Sequence, residues 1–231
     1  VTSVPSGNES NAVDGTDESN ESDEINDVET DERAWPVALD GVTESVVTTL
    51  GPNGLWNVAA LGLHAPDAGV DAGARTPVEA VTWGNTRTRR NFHRQGGGVV
   101  QFVADAHDFV DAALTIREEE EPVLDSADAW VRVRAERTDE GREDDTRWER
   151  WRLTPGESGV ERERPFTVNR GFYAVVDATV AASRLDVSDY DTDVLLDRLA
   201  YFERVVERCG GTREREAFAR LSAETGWHER R

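Results

Sequence analysis

Near Asn169 the apolar pattern of this 231-residue chain changes period, and that change limits the folds open to it. Before that point, short β-branched runs alternate with turn residues. Residues 43–50 (TESVVTTL) read as a strand. Gly51-Pro52-Asn53-Gly54 is a turn signal, and residues 55–63 (LWNVAALGL) read as a second strand antiparallel to the first. Residues 78–83 and 99–103 read as further strands. Across 129–137, Val131, Val133 and Ala135 alternate with Arg132, Arg134 and Glu136, the mark of a half-buried strand. Residues 147–153 pair with it across an acidic hairpin. Two short helices interrupt the strands, 86–95 with Gly96 as its stop and 106–114. Residues 64–77 and the acids 118–121 read as loops.

After Asn169 the spacing is helical. Phe172, Val175, Val176, Thr179, Val180 and Ser183 share one face, and Leu195, Leu199, Phe202, Val206 and Cys209 share another. Thr212 is the expected cap of a third helix over 212–225. Strands first and helices last argue an α+β protein, a β-barrel or sheet with a helical C-terminal subdomain.

Residues 1–33 stand outside this pattern. They hold eleven acids against a single Arg33 and almost no large apolar residue, so a disordered acidic tail is expected there. The expected domains are 34–166 and 167–231. The formal net charge is −21, and all 26 basic residues are arginines. Lysine-free acidity of this kind resembles the habit of extreme halophiles, whose carboxylates stay hydrated while molar salt screens their repulsion. It excludes nucleic acid and anionic membrane as partners, since neither is attracted to such a surface. One cysteine, Cys209, excludes an internal disulfide and a thiolate zinc cluster, and the four histidines show no metal spacing. With no signal-peptide core and no apolar run of membrane length, a soluble cytoplasmic protein is expected.

The segment Trp83-Gly84-Asn85-Thr86-Arg87-Thr88-Arg89-Arg90-Asn91 places hydroxyls and arginines at the start of a helix. Unpaired N–H groups and partial positive charge make such a start an anion site. Thr86 or Thr88 acting as an ordinary helix cap is the competing reading. Ala59, Ala60 and Gly62 on the second strand let a flat ring, or a tight neighbouring strand, approach the backbone. The glycines at 96–98 follow a helix and do not form a dinucleotide-binding fingerprint.

Three runs in order, ESVVTTLGPNGLWNVAALGLH, WGNTRTRRNF and GGGVVQFVADAHDFVDAAL, resemble domain-of-unknown-function family 447, found chiefly in archaea and classed with the FMN-binding split β-barrels. NRGFYAVVDATVAASRL resembles the opening of that family's helical part, so the likeness spans about residues 38–226. It implies a six-stranded Greek-key split barrel, a homodimer, and FMN at the subunit interface. It places the FMN phosphate on a T-x-x-N segment, matched by Thr88 and Asn91 with Thr86 and Arg87 just upstream. It lays the flavin ring along Asn57, Val58, Ala59 and Ala60, whose backbone can hydrogen-bond the ring. Trp83 is open to three roles: stacking near the flavin, core, or dimer interface. The implied function is an FMN-dependent oxidoreductase of unknown substrate, reduced transiently by NAD(P)H or a small molecule. A flavin carrier without catalysis, or a structural dimer without flavin, is the alternative. No side chain stands out as a catalytic acid or base, and no metal is implied.

The charge yields a prediction. Mutual repulsion among carboxylates falls as salt screens it, so the melting temperature should rise steeply from low salt to molar KCl; a flat response in a thermal melt would contradict this.

Overall fold

The computed structural model describes residues 34–66, 74–143, 145–165 and 167–230. The acidic tail expected over 1–33 lies outside them, as does half of the loop expected over 64–77. The described residues from 34 onward fall in one compact unit.

β1 (Val42–Leu50) and β2 (Trp56–His64) form the expected hairpin, in unbroken register from Leu50 opposite Trp56 to Val42 opposite His64. β3 (Val78–Trp83), β4 (Gly97–Val103), β6 (Ala127–Glu143) and β7 (Thr146–Val160) complete a closed antiparallel barrel. Its order is β1-β4-β6-β7-β3-β2, and β2 returns to β1. A seventh strand, β5 (Arg117–Glu119), adds to β2 outside the ring. Five helices accompany the barrel: α1 (Arg87–Gln95), α2 (Ala106–Leu114), α3 (Arg170–Ala182), α4 (Thr192–Cys209) and α5 (Thr212–Thr225). The protein is therefore α+β, a split barrel with C-terminal helices.

The paired valines of β1 show how the layers meet. Val47 points into the barrel with Leu61, Leu63, Val100, Val131, Trp151 and Leu153. Val46 points outward onto α2, packing with Val58, Phe109 and Leu124. A strand covered on both faces loses the apolar–polar alternation, so the run reads as continuously β-branched. α1 closes one end of the barrel by inserting Phe92, whose ring meets Trp151 edge-on at 5.1 Å. A third cluster joins α2 to α3, α4 and α5 through Val110, Ala178, Leu199 and Leu221.

Three expectations are corrected. The acids 118–121 were expected in a loop, but Glu118 and Glu119 belong to β5, paired with Trp56–Val58. A three-residue charged strand has no apolar period to reveal it. Its ion pairs hold it instead, Arg117 to Asp108 at 2.5 Å and to Glu119 at 2.6 Å. β6 and β7 also run well past their apolar stretches, because their exposed ends pair with each other as a ribbon. Lastly, Gly211 rather than Thr212 caps α5; its N–H donates to the Glu214 carboxylate at 2.7 Å.

The glycines at 97 and 98 allow β4 to lie between β1 and β6. A Cβ on Gly97 would sit 2.1 Å from the Val133 carbonyl oxygen, and one on Gly98 would sit 2.6 Å from that of Thr48. Neither oxygen can withdraw without breaking the barrel wall. Gly97→Ala should cost about 2 kcal/mol or more, as overpacking against backbone does. Gly62→Ala, whose Cβ would meet nothing nearer than 3.6 Å, should be near neutral. Denaturant titration of both variants checks the contrast.

Candidate functional site

One seam of the barrel is nearly open. β2 gives one full edge to β1, while on its other edge it meets β3 only at His64 opposite Glu79. β5 takes the same edge at Trp56–Val58. Between these contacts the stretch from Ala59 to Leu63 has no strand partner on that edge among the described residues. A cleft of about 590 Å³ opens there, walled by residues 57–61 of β2, Val81 to Trp83 of β3, the start of α1, and apolar residues of α2 and α3.

The start of α1 lies at the cleft. Gly84 turns the chain at φ 66° after β3. Thr86 is the N-cap, and its hydroxyl accepts from the Arg89 N–H at 3.3 Å. One capping reading of the sequence is therefore realised at Thr86. Thr88 is buried at the cleft and makes no side-chain hydrogen bond among the described residues. Arg87 also lines the cleft, and its Nη1 donates to Glu118 Oε1 at 2.8 Å. Arg90 lines it too, donating to the Asn85 carbonyl at 2.8 Å. No carboxylate is among the described lining residues, although the chain carries 47 acids. The cleft combines two guanidiniums, a helix start and small apolar walls. That combination suits a flat molecule carrying an anionic group.

Seven of the eight residues expected at the site line this cleft together: Asn57, Val58, Ala59, Ala60, Thr86, Arg87 and Thr88. Asn91 does not. Its amide donates to the Thr49 carbonyl and hydroxyl at 3.2 and 2.9 Å, and its carbonyl accepts from Arg94 at 2.7 Å. Three residues beyond Thr88, it shares that helix face but lies one turn deeper, where it fastens α1 to β1. Trp83 is 47 % exposed at the rim, which excludes the core role.

A profile of the DUF447 N-terminal domain, a family described as protein of unknown function, matches residues 43–162. The corresponding C-terminal profile matches residues 169–223. The chain belongs to the DUF447 family.

Among solved structures, this DUF447 chain is similar to an FMN-bound DUF447 protein from Methanosarcina mazei, with 22% identity and a TM-score of 0.65 over 80% of this chain and 96% of that one. More distant likenesses include nitrilotriacetate monooxygenase component B from Bacillus cereus (15% identity, TM-score 0.40, 70% of this chain and 90% of that one). Flavoredoxin from Methanosarcina acetivorans is another (11% identity, TM-score 0.36, 58% and 79%).

Sequence reasoning missed one residue behind the site of this DUF447 protein. Glu149 of β7 is fully buried and gathers cations from three elements. Arg89 and His93 of α1 approach its carboxylate at 2.9 and 2.7 Å, Arg147 at 2.8 Å, and Arg137 of β6 at 3.9 Å. Burial pushes the carboxyl up, but the hydrogen bond and charge of His93, with those of Arg89, outweigh it and hold Glu149 below the usual carboxylate range. The signal was present in RWERWRL: strand alternation puts Glu149 on the inward face with Trp151 and Leu153.

Glu149 thus ties the helix that starts at the cleft to the barrel wall. Glu149→Gln should cost about 1 to 3 kcal/mol near neutral pH, because it removes the counter-charge of the largely buried Arg89, while His93, Arg147 and Arg137 remain partly solvated. A lowered folded pKa means the carboxylate's contribution is complete above the ordinary value of 4.5 and is lost as pH falls through the folded value. The stability gap between wild type and variant should therefore close below about pH 4.5. Denaturant melts across pH would show it, and a gap independent of pH would contradict it.

Proposed function

We propose that the cleft binds FMN and that the protein is an FMN-dependent oxidoreductase. The observation that carries this reading is the character of the cleft: two arginines and a helix start, with no carboxylate among its described lining residues, in a chain of net charge −21. A helix start with two guanidiniums favours a phosphate on so acidic a surface. Membership of DUF447 and the likeness to an FMN-bound family member support the same cofactor.

The residues fit the group. Thr88, whose hydroxyl has no partner among the described residues, would hold the phosphate together with Arg87 and the first-turn N–H groups that a helix leaves unpaired. Thr86 shapes that turn as its cap. Asn91 and Glu149 would act at one remove, by holding α1 in place. The unpartnered edge of β2 at Ala59 and Ala60 would lie along the ring, with Asn57 near its rim, since its buried amide has no side-chain partner among the described residues. Bound FMN supplies two-electron chemistry, and the protein's part is to seat the ring and restrict water. The cleft offers no side-chain acid or base among its described residues, so the protons exchanged come from solvent or substrate.

Two finer points belong to the same proposal. Electrons enter from NAD(P)H or from a small-molecule substrate that reaches the open side of the cleft. The functional unit is a C2 homodimer, because Ile116, 76 % exposed, leaves apolar surface at the cleft that a second copy would cover.

The test contrasts two flavins. Removing a hydrogen bond to a charged phosphate costs about 1.5 to 3 kcal/mol, so Arg87→Ala or Thr88→Val should weaken FMN about tenfold to a hundredfold. Riboflavin, which lacks the phosphate, should bind weakly to all forms and change little. Titration calorimetry of each variant checks this, and equal losses for both flavins would make these residues structural only. Anaerobic bleaching of the FMN-loaded protein by NADH or NADPH tests the reductant.

A further inference from the structure

A second cavity of about 340 Å³ adjoins the cleft and shares two of its walls, Trp83 and Ser183. It forms where the β6–β7 hairpin meets the turn after α3. The hairpin supplies Glu143, and the turn supplies Arg184, Asp189 and Tyr190.

Three observations say what would fit it. Two large rings are left at its surface, Trp83 and Tyr190, the latter 42 % exposed. Exposed rings facing a common cavity are covered at a gain in free energy when a flat apolar molecule enters. Arg184 lies 5.0 Å over the Tyr190 ring, so its position is set by an aromatic face. Among the described residues it has no ion pair; Glu44 feels its charge but lies beyond ion-pairing distance. In a chain where acids outnumber arginines 47 to 26, a half-buried guanidinium left to an aromatic ring is unusual. Its donors remain available for an anion. Finally, Glu143 and Asp189 line the same cavity. Two carboxylates beside one guanidinium disfavour an occupant that carries more than one negative charge.

We infer that this cavity is a subsite for the second reactant, and that it takes a flat aromatic molecule carrying a single anionic group, its ring between Trp83 and Tyr190 and its charge on Arg184. The occupant would abut whatever lies in the cleft, because Trp83 and Ser183 belong to both spaces. Its role as a reactant rests on the flavin reading above; its shape and charge preference do not.

The probes are 2-naphthoate, an aromatic monoanion, and its neutral counterpart 2-naphthylmethanol, each titrated calorimetrically into FMN-loaded protein. Wild type should bind 2-naphthoate. Arg184→Gln should weaken it at least tenfold, leave 2-naphthylmethanol little changed, and leave FMN affinity unchanged, since Arg184 does not line the cleft. Tyr190→Leu should weaken both probes. Retained FMN affinity shows that each variant is folded. No binding of 2-naphthoate, equal binding to the Arg184 variant, or displacement of 2-naphthoate by NADH, which carries two phosphate charges, would overturn the inference while leaving the FMN reading intact. If wild type binds 2-naphthoate with the same Arg184 dependence but takes up no FMN, the subsite stands and the flavin reading falls.

Discussion

A closed barrel has no free strand edges, and this one is closed at one seam by a single residue pair. β2 must satisfy β1 along all nine of its residues while sharing its other edge between β3 and β5. The unpartnered stretch between them would be a liability in a sheet meant only to pack. Here it becomes the wall of the cleft, flanked by small residues that keep side chains out of the way. The rest of the molecule is arranged around keeping that seam open. α1 plugs the barrel end beside it, α2 and α3 roof it, and Gly97 and Gly98 let the opposite wall close tightly enough to hold the ring of strands together.

The helix that starts at the cleft is fixed from three directions. Phe92 enters the barrel core, Asn91 bonds to β1 through Thr49, and Arg89 and His93 converge on Glu149 of β7. A phosphate site built on a helix start needs this, because the donors are backbone groups whose aim is the aim of the whole helix. The anchoring also explains why α1 is so polar yet ordered. Its inward residues bond to the barrel, and of its outward arginines Arg87 meets Glu118 while Arg90 and Arg94 donate to the Asn85 and Leu50 carbonyls.

Much of this was legible in the sequence, and the failures have physical causes. The hairpin 43–63 was readable because a strong turn separates two runs of strand composition. The α1 segment was readable because hydroxyls before an arginine-rich run and a glycine after it mark both ends of a helix. β5 was not, because three charged residues carry no period and are held by pairing and salt links that only the folded chain assembles. Asn91 matched a spacing, but spacing along a helix fixes a face and not a depth. Glu149 was hidden by its type: a carboxylate at an inward position reads as a surface residue until its cationic neighbours, distant in sequence, are seen around it.

The ion pair between Arg87 and Glu118 gives the cleft an unusual relation to its ionic surroundings. The guanidinium that faces the cleft already holds a carboxylate, 28 % exposed and able to swing into solvent. An anion entering the cleft would therefore replace a tethered one, and the event would resemble ion exchange on a resin more than the capture of a free charge. Exchange of like for like at this one guanidinium would release few counterions, so the local pairing would respond weakly to salt, and the salinity dependence would come from the repulsion of the whole acidic surface.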